Sequence, residues 1–181
     1  MKIVPAIIVN ILLGSFAMAS LAHAQTPTGR EVLTSTTYVS LDPASRGSSF
    51  QLAVVLKIRR GFHINARQKS ADYLIATDLR AEALSGFEPG PVSYPQGELH
   101  TFTFSKKPLN VYQDTVTLRM SLTTTASAPL GQQKIPLKLR YQACSTELCL
   151  PPVTLNFDAA VNVAATASEE KRTHPEIFRT Q

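Results

Sequence analysis

The sequence predicts an all-β immunoglobulin-like sandwich, and three observations carry that expectation. Apolar and polar residues alternate over 50–59, with Phe50, Leu52, Val54, Leu56 and Ile58 on one face and Gln51, Ala53, Val55, Lys57 and Arg59 on the other. After the first 24 residues no helical periodicity extends beyond about three turns. Turn-forming clusters recur throughout, and many short alternating strands with frequent turns are the signature of two packed sheets.

From the N-terminus, Lys2 followed by an almost uniformly apolar run over 3–22 and the small-x-small triplet Ala22-His23-Ala24 reads as a cleaved secretory leader, 1–24. The mature chain is then expected to start at Gln25. The polar, turn-rich stretch 25–30 follows at once, so a leader fits better than a membrane anchor, and no later stretch approaches membrane length. Beyond the first strand, alternation returns at Val116, Leu118, Met120 and Leu122, at Ile135, Leu137, Leu139 and Tyr141, and at Val153, Leu155 and Phe157. Asp42-Pro43, Arg60-Gly61, Pro89-Gly90-Pro91, the segment 94–97 and Leu130-Gly131 are the expected turns between strands. The domain therefore runs over 25–163, and 164–181, polar and without alternation, reads as a flexible tail.

Composition narrows the function. With 181 residues, 44% of them hydrophobic, the chain suits one domain with one core rather than a two-domain enzyme. Eighteen basic against 13 acidic residues give +5, or +4 once Lys2 leaves with the leader. That bias is mild and nowhere clustered on a helix, so nucleic acid is not an expected partner; the doublets Arg59-Arg60 and Lys106-Lys107 would at most steer an acidic one. No G-x-S-x-G elbow, phosphate loop or H-E-x-x-H pair is present, which leaves hydrolase and nucleotide chemistry without residues. An exported chain without an anchor is expected in the periplasm, an oxidising compartment.

Chemistry concentrates in the only two cysteines, Cys144 and Cys149, which flank four residues and stand just before Pro151-Pro152. That spacing suits a tight hairpin whose flanking residues face each other within reach of a disulfide. As a staple the bridge is weak: closing a six-residue loop is worth about 2 kcal/mol, against nearly 5 for a long loop. A small exposed ring is, however, open to an attacking thiolate. Residue chemistry alone leaves a redox centre and a local structural bridge both open. A metal site built from both cysteines with His63 and His100 is a third arrangement, with copper as its expected ion, but neither histidine sits in a ligand motif.

Tyr141-Gln142-Ala143-Cys144, then Cys149-Leu150-Pro151-Pro152, resembles the redox-site signature of the N-terminal domain of the thiol:disulfide interchange protein DsbD family. Supporting pieces stand at residues 60–65 and 107–112, and the resemblance spans about 31–163. It implies an immunoglobulin-like domain carrying electrons in the periplasm through Cys144 and Cys149, with no cofactor or metal, since the disulfide is itself the two-electron carrier. Implied partners are thioredoxin-like or disulfide-isomerase-like proteins and, because the chain ends where a family member would continue, a separate membrane electron transporter. His63, Asn65 and Tyr141 would be neighbours of the cysteines. Phe104 matches a mobile cap, with Phe102 as its rival, although ordinary alternation into the core would also explain both. A protonated His63 beside the pair would favour a thiolate. The resemblance further implies that Cys149 bonds the partner while Cys144 resolves. Four residues between the cysteines, where the familiar family pattern has five, is a departure. The rival readings are a non-redox immunoglobulin-like binding module and a copper-binding periplasmic protein.

Overall fold

The computed structural model describes residues 26–179 as an all-β immunoglobulin-like sandwich. The expected leader, 1–24, and the expected first mature residue Gln25 lie outside the described residues. Among the described residues twelve strands follow in order: β1 (Leu33–Val39), β2 (Ala44–Ser45), β3 (Ser49–Ile58), β4 (His63–Asn65), β5 (Asp78–Ala81), β6 (Phe87–Ser93), β7 (Glu98–His100), β8 (Leu109–Tyr112), β9 (Thr115–Thr124), β10 (Gly131–Tyr141), β11 (Ala143–Cys144) and β12 (Val153–Ala164). One sheet has the order β1-β3-β9-β6, a second β2-β12-β10-β5, and a third, smaller sheet β11-β4-β8-β7.

The core forms where the alternating faces of the two larger sheets meet. Leu52, Leu56, Leu118, Leu122, Ile135, Leu137 and Leu139 are fully buried there, each worth roughly 1.5–3 kcal/mol of transfer free energy. Every alternating run singled out in the sequence lies within a strand of this core. Two segments behave differently from their sequence signals. Pro89-Gly90-Pro91, expected as a turn, lies inside β6, whose pairing with β9 shifts register between Pro89 and Val92. A proline without an N–H is tolerated there because β6 is an edge strand. The polar segment expected as a flexible tail is laid back over the β1-β3-β9 sheet. The Asp42 amide donates to the Lys171 carbonyl at 2.9 Å, Ser45 donates to Glu170 Oε1 through both its amide and its hydroxyl, and the Arg119 guanidinium donates to the Ile177 carbonyl at 2.8 Å. These are backbone and charge-assisted bonds, which hydropathy patterning does not reveal. No helix among the described residues is long and apolar enough to cross a membrane.

The third sheet is made by strands that leave the sandwich. β3 ends at Ile58, and the chain turns through Gly61, whose φ of +83° lies in the region glycine adopts without a Cβ penalty, before entering β4. β10 ends at Tyr141 and continues through Gln142 into β11. The small sheet is therefore anchored through two long strands of the two larger sheets, a rigid mounting for whatever it carries. Gly97, just before β7, permits a close approach: a Cβ there would stand 2.3 Å from Asn110 Oδ1 and 2.7 Å from the Ala66 Cβ.

Candidate active site

Cys144 and Cys149 are joined by a disulfide with Cα atoms 3.9 Å apart, across an isolated antiparallel bridge. The expected hairpin is thus present. Its four-residue loop is closed by the Ser145 amide donating to the Leu148 carbonyl at 2.8 Å, while Ser145 Oγ accepts from the amides of Glu147 and Leu148. Below the loop, the Leu150 amide donates to the Ala143 carbonyl at 2.8 Å. The two cysteines have different surroundings, because Cys144 belongs to β11 and is fully buried, whereas Cys149 has left the sheet and is exposed.

β4 forms the floor beside Cys144. In register, His63 faces Cys144 and Ile64 faces Ala143. Alternation sends His63 and Asn65 to the same side of the strand. Both sequence-expected neighbours on β4 are buried there, at 2% and 0% exposure. Asn65 donates through Nδ2 to the Ile75 carbonyl at 3.1 Å and approaches Gln142 Oε1 at 3.5 Å. Gln142 also donates through Nε2 to the Leu150 carbonyl at 3.3 Å, so one side chain ties the hairpin to β4. Gln142 was visible in the sequence only as part of the signature; its bridging role depends on β11 and β4 becoming neighbours.

His63 departs from expectation in its charge. The ring lies in the interior, and burial first, then the nearby His100, pushes its pKa down to about 4. At neutral pH the imidazole is uncharged, so thiolate stabilisation by an imidazolium is not available there; nor is His63 a surface residue. Tyr141 also differs from a simple neighbour of the cysteines. Its ring is fully buried in the main core and its hydroxyl donates to the Gly29 carbonyl at 2.7 Å, with burial raising its pKa to about 12. It fastens the N-terminal turn Gly29–Val32 to the end of β10.

The two phenylalanines sit on this floor without forming a strand. Phe102 is buried and stacks on His63 with ring centroids 4.0 Å apart and planes at 17°; Phe104 stacks on Phe102 at 5.5 Å and is 37% exposed. Alternation into the main core does not describe them, since Phe102 joins a separate cluster with Leu74, Leu109 and Val111. The segment is tied to the cysteine loop where Thr103 Oγ1 donates to the Thr146 carbonyl at 2.8 Å. Phe102 is thus the ring closest to the floor and Phe104 the outer one, and Thr103, which carries no sequence signal, fastens both to the hairpin. Among the described residues no group of three or more His, Cys, Asp or Glu is arranged to hold a metal ion, and His100 pairs instead with Glu98 at 3.1 Å.

Comparison with known proteins adds a family to this geometry. A structure described as the N-terminal periplasmic domain of ScsB from Proteus mirabilis is similar to this chain at 11% identity and a TM-score of 0.47, covering 71% of this chain and 46% of that one. The chain thus spans less than half the length of that solved structure. No curated protein matches the chain. Residues 30–160, most of the chain and the whole of the floor and hairpin, match the family described as "Thiol:disulfide interchange protein DsbD, N-terminal". A hairpin disulfide in an immunoglobulin-like sandwich, with the family match across it, places the chain in the DsbD N-terminal domain family.

Proposed function

We propose that this chain carries out thiol–disulfide exchange in the periplasm through Cys144 and Cys149, passing electrons between a thioredoxin-like donor or acceptor and other disulfide proteins. The observation that carries the reading is the asymmetry of the pair: one cysteine exposed on a short hairpin, the other buried in the strand beneath it. Exchange needs one sulfur that a partner can reach and a second close enough to resolve the intermediate. A bridge closing so short a loop adds too little stability to explain its position by that alone.

In the reducing direction, the Cys149 thiolate attacks a client disulfide and expels one client thiolate, leaving a Cys149–client mixed disulfide. The Cys144 thiolate then attacks Cys149 Sγ, the client leaves with its second thiolate, and the Cys144–Cys149 bond re-forms; two electrons have passed to the client. A donor dithiol reverses the sequence by attacking Cys149. The Phe102–Phe104 segment, fastened to the cysteine loop through Thr103, acts as a cap on the His63 side of the pair, while Cys149 stays open to a partner. The cysteine pair requires no cofactor for this chemistry. A cleaved leader over 1–24 and a membrane electron transporter as the source of electrons complete the reading.

The test is a trapping experiment with a thioredoxin-like protein. Cys144→Ala, which lacks the resolving thiol, should accumulate a mixed disulfide, and Cys149→Ala should form little. Equal trapping by both variants would overturn the assignment of the two sulfurs, and no trapping by either would favour a structural bridge.

A further inference from the structure

Among the described residues, two buried side-chain atoms that call for a hydrogen bond have none: His63 Nε2 and Asn65 Oδ1. Both belong to β4, two positions apart, and so emerge on one face of the strand. On that face Cys144 stands opposite His63, and Gln142, two positions before Cys144, meets Asn65 through its side chain. Interiors satisfy nearly all such groups, and a buried acceptor without a donor penalises the state that contains it. The state here is the disulfide.

A disulfide carries no S–H. Reduction by a dithiol delivers two electrons and two protons, so that Cys144 and Cys149 each become S–H while the reductant's two thiols join as its own disulfide. Of the two new donors, that of Cys144 is created in the interior, on the residue paired in register with His63. We propose that β4 is built to receive the reduced pair: the Cys144 thiol donates to His63 Nε2, and His63 thereby sets how readily the disulfide is reduced. The ring serves as an acceptor in its neutral form with the proton on Nδ1, and neutrality near pH 7 follows from its burial. Phe102, stacked on the ring at 4.0 Å, restricts its plane. The titratable group whose charge acts on the ring is His100, held by Glu98 on β7. Asn65 Oδ1 is the second unpaired acceptor on the same face; the single Cys144 proton does not serve both, so Asn65 weighs on the two redox states alike.

This inference rests on the exchange reading for its purpose, though not on any protein partner for its test. The potential of the wild type and of His63→Phe, which keeps an aromatic ring under Phe102, is measured in glutathione buffers. Loss of the acceptor should lower the equilibrium constant for reduction about tenfold, equivalent to roughly 30 mV more negative. A purely structural role would weaken oxidised and reduced forms alike and leave the potential where it was. Independently of any variant, the 15N resonance of His63 Nε2 in the wild type should move to the hydrogen-bonded range when the protein is reduced with dithiothreitol. An unchanged potential in His63→Phe, or an Nε2 resonance that is the same in both redox states, overturns the proposal. If mixed disulfides fail to form with thioredoxin-like proteins while both shifts are observed, the exchange reading fails and the role of His63 at the cysteines stands.

Discussion

Acidification from pH 7 to pH 4 should weaken the oxidised protein through His63 in particular. The ring titrates near 6.5 when unfolded and near 4 when buried under Phe102. Between those values the unfolded chain binds the proton and the folded chain does not, so stability present above about pH 6.5 is lost as the pH falls toward 4. A gap of this size is worth about 3 kcal/mol by pH 4, an upper limit because the ring can escape burial if the cap opens. The assay is urea denaturation of the oxidised wild type and of His63→Phe at a series of pH values. Glu31 and Glu170, whose carboxyls are held below their usual range chiefly by hydrogen bonds from Thr28 and Ser45, also lose stabilisation in acid. They are common to both proteins and cancel in the difference. The variant's curve should be flatter by up to about 3 kcal/mol between pH 7 and 4. Parallel curves would refute the reasoning, because they would mean that His63 is not excluded from water in the folded state.

Three further outcomes are expected. Phe102→Ala should cost roughly 2–4 kcal/mol by emptying its cluster with Leu74, Leu109 and Val111, and should speed reduction by small thiols, whereas Phe104→Ala, at a partly exposed position, should cost under about 1 kcal/mol; equal losses of stability would contradict the stacking order. Tyr141→Phe should lower stability by about 1–2 kcal/mol by stranding the buried Gly29 carbonyl, with exchange kinetics unchanged, and slower exchange in that variant would return Tyr141 to the cysteine site. Intact-mass analysis of the exported protein should give a chain beginning at Gln25, and retention of residues 1–24 would remove the leader from the reading.

The long core strands were legible because alternation has the same period as the pleat: the runs around Leu52, Leu118, Leu137 and Leu155 lie in β3, β9, β10 and β12. β1, a run of Thr and Ser at a sheet edge, has almost no apolar alternation and gave no such signal. The cysteine hairpin was equally local, since four intervening residues determine by themselves which two side chains can meet. Everything that distinguishes the two sulfurs was decided by tertiary structure. Only when β3 and β10 both leave the sandwich do β4 and β11 become neighbours, placing His63 against Cys144 although 81 positions separate them. Burial of that ring, its neutral charge, its stacking on Phe102 and the unpaired Nε2 follow from this crossing. No pattern within either segment encodes them, because a pKa and an unmet hydrogen bond depend on what surrounds a group in space.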